Sequence, residues 1–365
     1  MGRRHVPERL GYDARGEYRE LKKMDAVRVL QKAQRGFTLV EVLIAMALAT
    51  LVGLAGYVVF SSTNFSYKVE QDVVEAQQNL RVAMDRLARD LRHAGFGLPT
   101  PPEVLPTLTF GSYSFSSPIT YTNSSTAPDS ITILGIGYEA ATLVGSASGQ
   151  NAGGSTTLCV SSDSAFAPNG SLDSRRKYIN IGGSVYRELT SASGASCGGS
   201  GKSLGLALAL DRAYPDTTPV YIIYAVTYSI STTVTGCSTS NPCLVMKDHS
   251  GLLGSTDEQI VAENIEDMQF AYGVDVSPYD GIIDSGGSYG SDDFVDTPSD
   301  STSIIAVRAS IVARTRNEDP RGKKEFHPFC LEDRAGDSSC TGASADGYRR
   351  RRLTRIVKLR NPRVQ

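Results

Sequence analysis

This sequence has no large excess of positive or negative charge. Its 365 residues carry 37 basic and 39 acidic side chains, a formal net charge of −2, which argues against a protein that binds nucleic acid over its general surface. Tryptophan is absent, and the four histidines do not cluster. No C-x-x-C pair occurs, so thiolate metal ligation is not indicated. No Ser/His/Asp or Cys/His set can be assembled either, so we expect no enzyme.

Cysteine is also absent from the first 158 residues. The six cysteines lie later in the chain, at Cys159, Cys197, Cys237, Cys243, Cys330 and Cys340. This distribution fits a body exported to an oxidising compartment, where disulfides persist. Six cysteines allow 15 connectivities, among which the sequence alone cannot choose. We expect neighbours to pair, as Cys159–Cys197, Cys237–Cys243 and Cys330–Cys340.

One long apolar run stands near the start of the chain. Residues 37–60 contain a single side chain that is charged at neutral pH, Glu41. About 20 apolar residues cross a bilayer core, so this run predicts one membrane-spanning helix. Positive charges at Arg28, Lys32 and Arg35 precede it and favour a cytoplasmic position for that end. A lone carboxylate in such a span is costly and is usually partnered and functional.

A second helical pattern follows the apolar run. Apolar residues recur at steps of three or four after Asn64: Val69, Val73, Ala76, Leu80, Ala83, Leu87 and Leu91. This spacing predicts an amphipathic continuation of the same helix, which Gly97 and Pro99 terminate. We therefore divide the chain into a leader (1–36), a transmembrane half of the helix (37–60), an amphipathic half (61–98) and a β-rich soluble domain (99–365).

The soluble domain alternates short β-type runs with Gly/Ser-rich segments. Strands are predicted at 130–134, 177–181, 184–189, 220–230, 244–247, 269–276, 303–314 and 355–359. Between residues 261 and 270, Val261, Ile265 and Met268 stand at helical or turn spacing. The topology of residues 100–220 is not predicted. The resulting fold class is α+β, with a long N-terminal helix packed on a disulfide-bearing β-rich domain.

Two further patterns have a functional and a structural interpretation each. Asp280-Gly281-x-Ile283 matches the middle of a calcium loop, with Asp275, Asp280 and Asp284 as the candidate ligands, although Gly287 stands where a bidentate glutamate is expected. A hairpin turn explains the same residues. The basic tail from Arg349 to Arg363 predicts an edge strand with solvated arginines. The alternative is a surface that binds DNA or another polyanion.

A pattern of the form G-x-G-x-x-A follows a predicted strand at Gly135, Gly137 and Ala140. A dinucleotide site needs a helix to open at this point, so that its N-terminus can hold the pyrophosphate. The following ATLVGSASG sequence is a poor helix former, so we reject a nucleotide site here.

The motif Gly36-Phe37-Thr38-Leu39-Val40-Glu41 resembles that of type IV prepilins. The resemblance implies that a prepilin peptidase cuts after Gly36 and that Phe37 becomes a methylated N-terminus. It also implies that Glu41 pairs with the N-terminus of an adjacent subunit during assembly. A start at Met24 would leave a leader of 13 residues, closer to the usual prepilin length than the full 36.

The C-terminal half resembles the PilW family of minor pilins. The similarity rests on VTYSI from Val226, VAENIEDMQFAYGVD from Val261, SIIAVRASIVAR from Ser303 and RIVKLRN from Arg355, with RLARDLRHAGFG at the helix end. The resemblance implies a non-enzymatic subunit that first resides in the bacterial inner membrane. It then assembles with other pilins and minor pilins near the tip of a surface pilus. A type II secretion pseudopilin of the J kind and a tip adhesin or DNA-uptake subunit are the alternatives.

Overall fold

A computed structural model describes residues 36–99, 105–145, 150–252, 258–276, 280–284, 293–322, 324–332 and 344–360. The chain divides into two compact units, residues 1–66 and residues 67–365, which we describe separately. Helix α1, Leu39–Arg92, contributes to both units.

The described part of the first unit is the N-terminal portion of α1 and the residues just before it. Thr38 precedes the helix, and its hydroxyl accepts a hydrogen bond from the backbone N–H of Glu41 at 3.2 Å. Every residue from 36 to 60 is exposed. This portion therefore buries none of its apolar side chains within the unit.

The second unit begins with the amphipathic portion of α1. One face is buried, through Ala76, Leu80, Ala83, Met84, Leu87, Ala88 and Leu91. Their spacing of three and four residues is that of a single helical stripe. Just after the helix, Gly95 has a φ of 74°, a left-handed conformation that glycine adopts without steric cost, and its N–H bonds to the carbonyl of Leu134 at 2.8 Å.

Fifteen strands lie within the described part of this unit. They are β1 (Leu108–Phe110), β2 (Tyr113–Phe115), β3 (Ile119–Thr122), β4 (Ser130–Thr142), β5 (Thr157–Val160), β6 (Tyr178–Ile181), β7 (Val185–Ser196), β8 (Lys202–Leu206), β9 (Pro219–Ser231), β10 (Cys243–Asp248), β11 (Glu258–Glu263), β12 (Ile265–Val274), β13 (Phe294–Val295), β14 (Ile304–Arg314) and β15 (Arg350–Lys358). A 3-10 turn, Ser301–Ser303, precedes β14.

The strands form three sheets with antiparallel pairing. A nine-stranded sheet has the order β11-β10-β9-β6-β7-β8-β5, with β4 also paired to β9 and β3 paired to β4. A four-stranded sheet has the order β13-β12-β14-β15, and β1 and β2 form a separate pair. Strands β9 and β10, which contain the predicted strands 220–230 and 244–247, pair as an antiparallel hairpin across the Cys237–Cys243 loop.

The main core lies between the buried stripe of α1 and the inner faces of two sheets. Its members include Tyr228 and Leu244 from the nine-stranded sheet and Phe270 and Ile311 from the four-stranded sheet. A second cluster lies under β5–β9 and includes Phe166 and Leu204. The predicted α+β organisation is confirmed, with the apolar N-terminal helix followed by a β-rich domain that contains two disulfides.

The segment 261–270 differs from its predicted helical or turn conformation. It forms the end of β11 and the start of β12, joined at Asn264, which has a φ of 58°. A register shift between Ile265 and Asp267 marks a bulge in β12. Because a bulge inserts one residue, Ile265 and Met268 both reach the core although they are three apart. In the sequence, this spacing of three residues is also the spacing expected of a helix.

Candidate functional site

The first turn of α1 is built from the motif Gly36 to Glu41. Thr38 and Glu41 have the T-x-x-E spacing of a capping box, and the bond from the Glu41 N–H to the Thr38 hydroxyl is one half of that arrangement. Capping satisfies one of the backbone donors that a helix start leaves unpaired. The motif thus fixes where the helix begins, at Leu39 directly after Thr38.

Glu41 is a charged side chain on an otherwise apolar surface. It is exposed and, within the described residues, takes part in no ion pair. The hydroxyls further along the helix are satisfied locally, since Thr50 donates to the carbonyl of Ala47 at 2.8 Å and Thr63 to that of Val59 at 2.9 Å. Such back-bonding lets hydroxyls sit in an apolar environment. Glu41 is therefore the charged group in this segment that needs an external partner.

The apolar surface around Glu41 is extensive. Large side chains from Phe37 to Phe60 are 44–80% exposed, and α1 is long and apolar enough to cross a membrane. Soluble proteins seldom expose so large a contiguous apolar surface. This portion of the helix requires lipid or other helices as its surroundings.

The amphipathic portion of α1 carries a buried polar cluster that the sequence reasoning missed. The hydroxyl of Tyr228 donates to Asp90, and Arg86 lies 3.2 Å from the same carboxylate. Asp90 is 6% exposed and Tyr228 is fully buried. Burial, followed by the charge of Asp90, raises the pKa of the Tyr228 phenol. Only the spacing of Arg86 and Asp90 was visible in the sequence, since Tyr228 lies on β9.

Two of the neighbour pairings that the sequence favours are present as disulfides. Cys159 is bonded to Cys197, and Cys237 is bonded to Cys243. The first joins β5 to the end of β7, and the second closes the loop between β9 and β10. The third predicted pair includes Cys340, which lies outside the described residues.

The three candidate calcium ligands belong to one loop after β12. Asp275 accepts a hydrogen bond from the N–H of Gly281 at 2.8 Å, Asp280 from Ile282 at 2.9 Å and Asp284 from Val276 at 2.6 Å. These bonds order a turn without a metal. In the described part of the chain, no three acidic, histidine or cysteine side chains are placed to hold one. Residue 287 lies outside the described residues, and calcium binding stays a prediction.

Three arginines of the basic tail form ion pairs. Arg349 contacts Asp319 at 2.9 Å, and Arg355 contacts Asp85 of α1 at 2.9 Å. The buried Arg350 is held by both Glu266 and Asp346, and these two carboxylates contribute to the raised pKa of its guanidinium. Residues Arg350–Lys358 of the tail form β15 at the edge of the four-stranded sheet, as predicted, but Arg350 is buried rather than solvated. Arg351 and Arg352 are exposed and form no ion pair within the described residues, so binding of a polyanion stays a prediction.

The glycines of the G-x-G-x-x-A pattern have a packing role. A Cβ at Gly135 would lie 2.6 Å from the carbonyl oxygen of His93, and a Cβ at Gly137 would lie 3.0 Å from that of Ile222. Both residues belong to β4, and no helix begins there. The glycines allow the end of α1 and strand β9 to approach β4 closely.

Comparison with known proteins locates two similarities at opposite ends of the chain. Residues 31–57 match the prokaryotic N-terminal methylation motif, and residues 227–361 match the family of the type IV pilus-assembly protein W, PilW. The pilin-like protein PilA3 of Thermus thermophilus is 38% identical over 81 residues, which cover 19% of this chain and 35% of the relative. The match thus spans about a third of that relative's length. No solved structure matches the chain.

Proposed function

Because this chain is type IV pilin-like and PilW-like, we propose that it is a minor pilin, cut after Gly36 and incorporated into a pilus near the tip. The observation that carries this proposal is the exposed apolar helix of residues 39–60 with one unpaired carboxylate at its start. The methylation motif over residues 31–57 covers the same feature. The PilW-like part implies a role beside other pilus subunits.

Cleavage after Gly36 would create the cation that Glu41 lacks. The new ammonium of Phe37 would stand two residues before Leu39, the first residue of α1. A helix N-terminus carries a partial positive charge, so an ammonium there is unfavourable unless an anion is close. A carboxylate in an apolar environment is also unfavourable when unpaired. Pairing Phe37 of one subunit with Glu41 of the next would remove both penalties.

The surroundings of the exposed helix follow from the same reasoning. Before assembly, lipid of the bacterial inner membrane would cover residues 39–60. After assembly, the equivalent helices of neighbouring subunits would replace the lipid. The oxidised Cys159–Cys197 and Cys237–Cys243 pairs support a periplasmic or extracellular position for the soluble unit.

Processing is tested by replacing the residue before the cut. We expect Gly36→Val to leave residues 1–36 attached, whereas the wild-type protein begins at Phe37, as measured by mass spectrometry of the membrane fraction. Wild-type protein that retains its leader in the native host would contradict the proposal.

Assembly is tested by Glu41→Gln in the native host. The loss of one hydrogen-bonded charge pair, about 1.5–3 kcal/mol, corresponds to a drop of about 10- to 100-fold in incorporation. The readout is the amount of this protein in sheared pili relative to the membrane pool. Glu70→Gln is the matched control, since Glu70 is an exposed glutamate on the same helix outside the apolar segment.

Two results would reject a minor pilin. One is equal incorporation of the Glu41→Gln and Glu70→Gln proteins. The other is the absence of the protein from purified pili, combined with intact piliation in its deletion strain. Blocked export of folded enzymes in that strain would instead identify a secretion pseudopilin.

A further inference from the structure

The second unit contains a cavity of about 620 Å³ that the pilin role does not use. It lies between the C-terminal part of α1, which supplies Arg86, His93 and Phe96, and the nine-stranded sheet. The volume falls within the roughly 300–1,000 Å³ range of small-ligand sites. All of its lining residues belong to the second unit.

A bulge and glycines create this space. In the pairing of β4 with β9, Ile136 opposes Ile223 and Glu139 opposes Tyr221, so β4 has one extra residue at Gly137–Tyr138. A bulge re-aims side chains, which allows consecutive residues of β4 to line the cavity. Gly183, with a φ of 76°, forms another part of the wall in the turn after β6.

Tyrosines supply the walls of the cavity with both flat surfaces and hydroxyls. Tyr138, Tyr221 and Tyr224 line it. Among the described residues, none of their three phenol hydroxyls makes a hydrogen bond, which distinguishes them from the neighbouring Tyr228. Polar hydroxyls beside a cavity are available to a ligand that both donates and accepts hydrogen bonds.

The charged groups of the cavity are already compensated. The Nε of Arg86 faces Asp90 at 3.2 Å, while its side chain remains 42% exposed and keeps further N–H donors. Asp248 accepts hydrogen bonds from the N–H groups of Ser250 and Leu252. A charged ligand would therefore lose its hydration without gaining an uncompensated opposite charge, which is unfavourable. A neutral ligand rich in hydroxyls has a smaller desolvation cost, which hydrogen bonds to the cavity can offset.

We propose that this cavity binds a neutral saccharide of about two rings. A pyranose has a face of polarised C–H bonds, which suits the electron-rich face of a tyrosine, and a rim of hydroxyls, which suits the phenols and Arg86. The proposal goes beyond the pilin role and is independent of it, because none of the cavity residues takes part in processing or in the Glu41 contact.

The test is a titration of the full chain in lipid nanodiscs with maltose, lactose and N,N′-diacetylchitobiose, followed by saturation-transfer NMR and calorimetry. Nanodiscs avoid maltoside detergents, which carry a competing sugar. We expect at least one disaccharide to bind with 1:1 stoichiometry. Tyr224→Phe should weaken it about tenfold, the loss of about one hydrogen bond. Tyr138→Ala should weaken it at least as much.

Tyr113→Ala is the control, since Tyr113 is 44% exposed and Tyr138 is 49% exposed, but Tyr113 does not line the cavity. Melting curves verify that each variant is folded, and Tyr224→Phe keeps the ring in place. Failure of all three disaccharides to bind would overturn the proposal. So would binding that neither Tyr138→Ala nor Tyr224→Phe weakens, or a preference for the aromatic anion 1-naphthoate over every disaccharide.

Discussion

The phenol of Tyr228 links the amphipathic part of α1 to the β domain through hydrogen bonds. We expect its removal to lower the stability of the protein measurably. The hydroxyl donates to Asp90 and accepts from Arg86 at 3.3 Å. In Tyr228→Phe, the carboxylate of Asp90, which is 6% exposed, keeps only Arg86 and can recover little hydration. Loss of a hydrogen bond to a charged group costs about 1.5–3 kcal/mol. For a unit of this size we expect a drop in melting temperature of about 3–6 °C.

The assay is thermal unfolding of the full chain followed by near-UV circular dichroism, with Tyr221→Phe as the matched control. The Tyr221 hydroxyl makes no hydrogen bond within the described residues, so its removal should change stability by less than about 0.5 kcal/mol. A double-mutant cycle with Asp90→Asn should give a coupling of about 1 kcal/mol or more. Equal melting temperatures for Tyr228→Phe and Tyr221→Phe would refute this account of how the helix is held.

Three further predictions concern the same unit. Leu87→Ala, at a fully buried position of α1, should cost about 2–5 kcal/mol, whereas Val82→Ala, on the exposed side of the helix, should be nearly neutral in a denaturant titration. Burial raises the pKa of Tyr224 and Tyr228 above the usual value of 10. The folded protein therefore keeps protons that the unfolded chain loses, so stability should be full below about pH 10 and should fall above it, as melting curves against pH would show. Finally, calcium bound at the Asp275 loop would raise the melting temperature of the wild type but not of Asp275→Asn, and an unchanged wild-type melt would exclude the ion.

Local sequence was sufficient for the helix and for several strands. The run from Phe37 to Phe60 and the stripe ending at Leu91 depend on composition and on a period of 3.6, which neighbours along the chain determine. The long β-prone segments that form β9 and β14 are readable for the same reason. Short strands such as β1, β5 and β8 carry too few residues to show a period. The conformation of segment 261–270 was predicted wrongly because the bulge places core-facing residues three apart, whereas a regular strand places them two apart.

The motif from Gly36 to Glu41 needed no tertiary information, because a helix cap, an apolar run and a lone carboxylate are all set by residues within one stretch of chain. Tertiary structure decided everything that joins distant stretches. It placed Tyr228 of β9 against Asp90 of α1, 138 residues apart, and used a bulge at Tyr138 to open a cavity. Such pairings depend on which surfaces pack together in the core. Hydrophobic burial determines that packing, and it leaves no periodic pattern in the sequence from which the pairing could be predicted.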